Sequence, residues 1–297
     1  MNLVVGATGL LGGEICRLLA ARGKPVRALV RATSDQNKVA QLENLGLEVV
    51  RGDLKDRSSL DAACQGVSAV ISTASSTLSR QEGDSIQTVD LEGQLNLIDA
   101  AKAANVSQFV LISFPHTDVE FPIQTAKRQV EQHLKGSGLS YTILQPTVFM
   151  EVWLSPALGF DADNAQAQIY GSGENKISWI SYKDVAKFSV ASLDSPQALN
   201  AVIELGGPEA LSPLEVVGIF EESKGRKFGV QYVPEEALKQ QKETVGDPLQ
   251  QSFAGLMLFY SRGNVIDMQE TLKKFPVQLT SVREYVHASI SPAPDAV

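Results

Sequence analysis

Seven residues near the start of the chain, Gly6-Ala7-Thr8-Gly9-Leu10-Leu11-Gly12, have the types and spacing to cradle a pyrophosphate. A glycine at 6 permits a tight turn, one at 9 lets a phosphate approach the backbone, and one at 12 lets a helix pack closely on a strand. The elements that such a turn requires flank it. Residues 2–5 (Asn-Leu-Val-Val) read as a short buried strand, and residues 13–22 place Ile15, Leu18, Leu19 and Ala20 at helical spacing. Phosphates would meet the N–H groups and positive dipole end of that helix. The plain alternative is a glycine turn with no ligand, which the strand–turn–helix context disfavours.

A second strand is expected over 25–30 and ends in Arg31-Ala32-Thr33-Ser34, with no acid before Asp35. An Asp or Glu at this point accepts hydrogen bonds from the ribose 2′-OH of NAD, whereas an arginine fork suits a 2′-phosphate. Thr33 and Ser34 add hydroxyl donors. The pattern predicts NADP(H) rather than NAD(H), against the plain reading of a solvent-facing loop arginine.

The rest of the first half alternates strand and helix: a helix over 39–45, strands at 46–50, 67–72 and 109–112, and helices over 89–104 and 124–135. That order implies a Rossmann-type α/β fold, a doubly wound parallel sheet with helices on both faces. Thr73-Ala74-Ser75, small residues at the carboxyl end of the fourth strand, leave room for a cofactor. Asp53 and Leu54 follow the third strand, and Asp53 is also suited to cap the helix through Leu60.

With 297 residues, 43% hydrophobic and 20% charged, the chain suits one large α/β domain with a smaller companion. A net charge of -8 argues against general nucleic-acid binding. Cys16 and Cys64 make no disulfide framework, and no Cys/His cluster has metal-ligand spacing. Cys16 falls on the core side of the first helix. A strand from residue 2 leaves no room for a leader, and no apolar run reaches the length of a membrane span. The expected setting is cytoplasmic.

The helix expected over 124–135 is where short-chain dehydrogenases carry Tyr-x-x-x-Lys, a tyrosine acid–base whose pKa the lysine lowers. None of the six tyrosines, at 141, 170, 182, 232, 260 and 285, has a lysine four residues on, and Ile123 stands four before Lys127. Within that superfamily the sequence resembles the NmrA-like proteins, relatives of isoflavone-reductase-like enzymes and NAD(P)H-quinone oxidoreductases. The resemblance rests on the opening GATGLLG, Arg31, and Lys127 after Phe121-Pro122. It also rests on residues 145–151 (Gln-Pro-Thr-Val-Phe-Met-Glu), 182–186 (Tyr-Lys-Asp-Val-Ala) and 206–209 (Gly-Gly-Pro-Glu), and it fades beyond about residue 235.

The resemblance implies that Lys127 is a general base or holds the nicotinamide ribose, that Asp53 and Leu54 lie beside the adenine, and that Pro146, Thr147 and Phe149 border the cofactor. Ser113, at the end of the fifth strand, would bind a substrate carbonyl or merely cap the strand. His116, in the loop beyond, is the best candidate for a spare proton donor, against the plain reading of a loop histidine with no role. Phe149, Met150 and Trp153 form either an apolar wall for a flat conjugated substrate or the core of the second lobe. Glu151 has no role beyond its location.

The expected organisation is a nucleotide domain over 1–153 with 177–205 returning to it. A smaller α/β substrate lobe comprises 154–176 and 206–290, followed by a loose tail at 291–297. Residues 161–168 read as a polar loop or frayed helix, 177–180 as a strand, and Ser212-Pro213-Leu214-Glu215 as a capping box. The expected function is an NADPH-dependent reductase, lacking the Tyr-x-x-x-Lys pair, that acts on a small conjugated carbonyl or quinone. The rival is a non-catalytic NADP(H)-sensing regulator or assembly factor working through a protein partner.

Overall fold

The first half of the chain builds β1 (Asn2–Val5), α1 (Leu10–Ala21), β2 (Val26–Val30), α2 (Gln36–Asn44), β3 (Glu48–Arg51), α3 (Arg57–Cys64) and β4 (Ala69–Ser72). A π-helical segment (Ile86–Gly93) runs directly into α4 (Gln94–Ala103), followed by β5 (Gln108–Ile112), α5 (Pro122–Gly136) and β6 (Ser140–Pro146). Then come α6 (Met150–Trp153), β7 (Phe160–Asp161), β8 (Gln166–Tyr170), α7 (Tyr182–Ser192), β9 (Ala201–Leu205), α8 (Pro213–Lys224) and β10 (Gly229–Val233). Helices α9 (Glu235–Thr244), α10 (Pro248–Ser261), α11 (Gln269–Lys274) and α12 (Val282–Ile290) complete the chain. This computed structural model describes residues 1–78 and 81–290, so the tail expected at 291–297 lies outside the described residues.

Seven strands form one sheet in the order β3-β2-β1-β4-β5-β6-β9, and every pairing from β3 through β6 is parallel. Strands β1 and β4 are buried at every position, as strands covered on both faces must be. The direction of winding reverses between β1 and β4. The crevice beyond their carboxyl ends is where such sheets bind ligands. Helix α1 buries Leu11, Ile15, Cys16 and Leu19 along one stripe, and Leu3, Val70, Phe109, Leu97 and Leu134 pack in the core around the sheet.

Two compact units divide the chain. The first holds Met1–Phe114, Pro122–Gln145 and Val185–Ile203; the second holds Pro115–Phe121, Pro146–Asp184 and Glu204–Val297. The stretch returning to the first unit is therefore shorter than 177–205, and a short loop of the first half joins the second unit. Within the second unit β10, β8 and β7 make a small sheet, β10 parallel and β7 antiparallel to β8. Phe160, Phe220 and Phe228 stack beside it with ring centroids 4.7 to 6.1 Å apart.

Three local expectations change. Residues 161–168 are not a loop or frayed helix. They belong to β7 and β8, joined by a turn in which the Asp161 carboxylate accepts the N–H groups of Asp163 and Asn164 at 3.1 and 3.0 Å. The signal was the alternation of buried Ala167 and Ile169 with polar neighbours. Residues 177–180 make isolated bridges, Ile177 to Leu211 and Asn264 and Ile180 to Phe149, rather than a strand. The helix expected from residue 89 starts earlier, and its first eight residues take the wider π register. The capping box of α8 forms as written, with Ser212 Oγ accepting from Glu215 N at 3.1 Å and Glu215 Oε2 accepting from Ser212 N at 2.7 Å.

No helix among the described residues is long and apolar enough to cross a membrane. Both cysteines are free and without exposed surface. Burial pushes the Cys16 thiol up to about 12, and burial aided by the Asp61 carboxylate pushes Cys64 up to about 11. At pH 8 a thiol reagent such as dithionitrobenzoate is therefore expected to leave the native protein unlabelled and to titrate both thiols after denaturation. Rapid labelling of either thiol in the native protein would contradict this packing.

Candidate functional site

The turn after β1 is built by backbone crowding. Gly6 has φ +85°, and a Cβ there would lie 2.6 Å from Thr73 Oγ1 and 3.0 Å from Ala74 N. A Cβ on Gly12 would lie 2.2 Å from the Gly6 carbonyl oxygen. Both positions demand glycine for the fold itself. Gly9 differs: its φ of -80° suits any residue, and a Cβ would meet only the Gly6 oxygen at 3.2 Å. It is also the N-cap of α1, with no side-chain cap, so the first-turn N–H groups of the helix are not covered by a capping side chain. Ala7 and Leu11 point into the core, Thr8 is half-buried and Leu10 is 51% exposed. Beside this turn Thr73 Oγ1 donates to Val5 O at 3.1 Å, and the Ser75 hydroxyl lies 3.2 Å from that of Thr77.

At the end of β2, Arg31 Nη1 donates to Asp84 Oδ2 at 2.6 Å, and Lys55 Nζ takes the other oxygen of the same carboxylate. The Asp84 side chain is almost fully buried. Burial works to raise its pKa, but hydrogen bonds from Lys55, Gln81 N–H and Arg31 hold it below the ordinary carboxylate value. Ser34 Oγ accepts the Arg31 N–H at 3.0 Å and so fastens its own turn, while the Thr33 hydroxyl pairs with the Gln81 carboxamide. Asp35 accepts from Asn37 N at 2.8 Å as the N-cap of α2. Asp53 does not cap α3. That cap is Asp56, which accepts from Ser58 N and Ser59 N, while Asp53 accepts from Lys55 N at 2.9 Å in a local turn. Leu54 is a core residue.

Lys127 on α5 is buried, and its Nζ donates to Ile112 O at 3.3 Å at the end of β5. Burial pushes its pKa below that of an ordinary lysine, with Asp90 and Glu131 opposing the shift and Arg128 adding to it. Ser113 does not present a free hydroxyl: Arg128 Nη2 donates to Ser113 Oγ at 3.3 Å and to Phe114 O at 2.6 Å. Glu131 accepts from Arg128 Nη1 at 3.1 Å and from Gln145 Nε2 at 2.9 Å. Arg128 and Glu131 were not singled out from sequence, although their i,i+3 spacing on a helix beside Lys127 was the available sign.

His116 lies exposed in the second unit, whereas Ser113 belongs to the first. Also in the second unit, Pro146 and Thr147 are buried, and Thr147 bonds Leu205 O through its N–H (2.9 Å) and Ser178 O through its hydroxyl. Met150 is core, Phe149 is half-buried, and Glu151 receives a structural role: its carboxylate accepts from the Ser181 hydroxyl and from Tyr182 N at 3.1 Å, fastening the start of α7. A cavity of about 40 Å³ in this unit is lined by Trp153, Phe160, Tyr170, Trp179, Met257 and Tyr260, among others. Trp153 and Tyr260 meet edge to face at 5.0 Å. Gly207 is required here because a Cβ would lie 1.7 Å from Trp179 O. Among the described residues no group of three or more His, Cys, Asp or Glu side chains is placed to hold a metal ion.

The sequence pattern of the NmrA-like family matches residues 2–286. An NAD(P)H azoreductase of Xenophilus azovorans is 32% identical over 251 residues, covering 84% of this chain and 82% of its own length. A photosystem II assembly factor, Ycf39, of Trieres chinensis is 30% identical over 239 residues, covering 78% of this chain and 72% of its own. The structure of the NADPH-dependent quinone oxidoreductase QOR2 of Escherichia coli, complexed with NADPH, shares the fold with a TM-score of 0.79. It is 24% identical and covers 98% of this chain and 100% of that one.

The glycine geometry separates two variants. Gly12→Ala is expected to lower the stability measured by urea unfolding by about 1–3 kcal/mol, since backbone must move to admit the methyl group. Gly9→Ala is expected to change it by less than about 1 kcal/mol. Equal losses would show that Gly9, like Gly12, is there for the fold alone.

Proposed function

This chain belongs to the NmrA-like family, and from that premise we propose that it binds NADP(H) in its first unit and reduces a flat conjugated acceptor. The observation that carries the reading is the glycine turn. Gly6 and Gly12 are fixed by packing, while Gly9, whose φ suits any residue and whose Cβ would press only on the Gly6 oxygen at 3.2 Å, is the least constrained of the three and stands at an uncapped helix start at the switch point of the sheet. A pyrophosphate approaching the backbone accounts for it. The 2′-phosphate preference rests on Arg31. Asp35, the first acid after β2, is engaged as a helix cap and does not stand at the strand end to receive a ribose hydroxyl. The name of the 32% identical azoreductase points to the same cofactor class.

NADPH, when bound, supplies the hydride. The chain's own residues bind and orient. The first turn of α1 receives the pyrophosphate, Arg31 the 2′-phosphate, and Thr73, Ala74 and Ser75 border the cofactor. Lys127 holds the nicotinamide ribose through its ammonium group. Ser113, tied to Arg128, is the hydroxyl nearest in sequence to that region. The proposed acceptor is an aromatic, quinonoid or azo compound, in keeping with the name of the 32% identical azoreductase.

A second reading has one specific observation behind it: a relative 30% identical is an assembly factor for photosystem II. In that reading the protein binds NADP(H), acts through a protein partner and turns nothing over.

Titration with NADPH and NADH, followed by nicotinamide fluorescence, tests the cofactor assignment. NADPH is expected to bind more tightly, and Arg31→Ala to lose about tenfold or more of that affinity with little effect on NADH, as for one charge-assisted contact. Equal affinities for the two would sink the Arg31 role. NADPH oxidation is then followed with a quinone, a conjugated enone and an azo dye, with Lys127→Ala as control. That variant is expected to lose about a hundredfold in kcat/KM, as for a misplaced nicotinamide. Tight NADPH binding with no turnover of any acceptor favours the partner-binding reading.

A further inference from the structure

Asp90 is fully buried, and one of its two carboxylate oxygens, Oδ1, has no hydrogen-bond partner among the described residues. The other, Oδ2, accepts from Ser76 N at 3.0 Å and from Ser76 Oγ at 2.5 Å, so the carboxylate is held in one orientation. A buried carboxylate with an unsatisfied oxygen is costly and calls for a compensating charge. Asp90 also lies on the π-helical segment Ile86–Gly93, a rare register that recurs at functional positions.

That segment packs directly on α5, which carries the buried Lys127. Three charged groups act on Lys127: Asp90 and Glu131, which favour its ammonium form, and Arg128, which opposes it. Both Glu131 oxygens are already taken, by Arg128 and Gln145. The remaining charged groups on these elements are engaged elsewhere or lie at the surface. Glu92 on the π segment is exposed and bonded to Gln87; Asp99 on α4 pairs with His133 of α5 at 2.7 Å; Lys102 and Lys135 are exposed. Among the described residues Asp90 and Lys127 form no ion pair within 4.0 Å, and Asp90 Oδ1 is the carboxylate oxygen left uncommitted on the element packed against α5.

We propose that Asp90, clamped by Ser76, is the counter-ion of Lys127 and a positioning residue that keeps its ammonium group aimed at the carboxyl end of β5. The inference rests on the proposed role of Lys127 for its functional meaning, but the pairing itself does not.

The test is an NMR titration of protein carrying lysine labelled at Cε and Nζ, with the Lys127 signal identified by its loss in Lys127→Met. In Asp90→Asn, Lys127 is expected to lose its proton at a pH lower by about one unit or more than in the wild type, because a charge that favours the ammonium form has been removed. Ser76→Ala is expected to shift it in the same direction by less. The alkaline limb of the NADPH-oxidation pH profile should move with the NMR titration. An unchanged Lys127 titration in Asp90→Asn overturns the pairing. If Asp90→Asn does not fold, the double variant Asp90→Asn/Lys127→Met decides: removing both charges restores folding if the two are counter-ions, and leaves the chain unfolded if Asp90 is needed for shape alone. A shifted titration in Asp90→Asn, together with wild-type turnover in Lys127→Met, would uphold the pairing and overturn the role of Lys127 in reduction.

Discussion

Helix α1 lies where it does because residue 12 has no side chain. The Gly6 carbonyl oxygen, 2.2 Å from where a Cβ would sit, also accepts the Gly9 N–H at 2.9 Å, and Thr73, the residue after β4, closes the same small volume. Strand, turn, helix start and the end of the neighbouring strand meet there backbone to backbone. Close packing of this kind tolerates no added atom without movement of main chain. It fixes the dipole end of α1 over the switch point of the sheet, and the positions of Arg31 at the end of β2 and of Thr73 at the end of β4 follow from the register of β1 with its two neighbours.

What was legible in the sequence is what short-range chemistry writes. The glycine turn, the alternation of strand and helix, the Ser212–Glu215 capping box and the missing tyrosine all lie within a few residues of their causes. What was not legible depends on partners distant along the chain. Arg31 meets Asp84 across 53 residues, Glu151 meets Ser181 across 30, and Thr147 meets Ser178 across 31. No periodicity marks such pairs. The β7–β8 pairing was missed for a different reason: polar residues on the outer face of β8 masked a two-residue period carried by Ala167 and Ile169.

The electrostatics of α5 show why Lys127 could be placed on a helix from sequence while its character could not. Lys127, Arg128 and Glu131 read as an ordinary charged run, which is usually a solvated face. Instead Glu131 and Lys127 are buried, and Arg128 threads between Glu131, Ser113 and Phe114. Charges withdrawn from water persist only when each is paired or hydrogen-bonded. The residues that satisfy them come from the end of β5 and from β6, so the character of Lys127 is a property of the assembled sheet rather than of its helix.

The same packing bears on the kind of reduction that fits. Four residues before Lys127, where a tyrosine acid would stand, Ile123 is 3% exposed and part of the core. No acid can be supplied from that position without opening the packing. A ketone reduced to an alcohol needs a proton delivered to a strongly basic oxygen as the hydride arrives, and an active site without a placed acid is poorly suited to it. A quinone or an azo compound accepts hydride to give an anion stabilised by conjugation, which water can protonate afterwards. Under the proposed reduction the site would have to bind a flat acceptor, hold the nicotinamide and exclude misaligned poses. Those demands suit a buried lysine held at the end of β5 better than they suit a titrating acid.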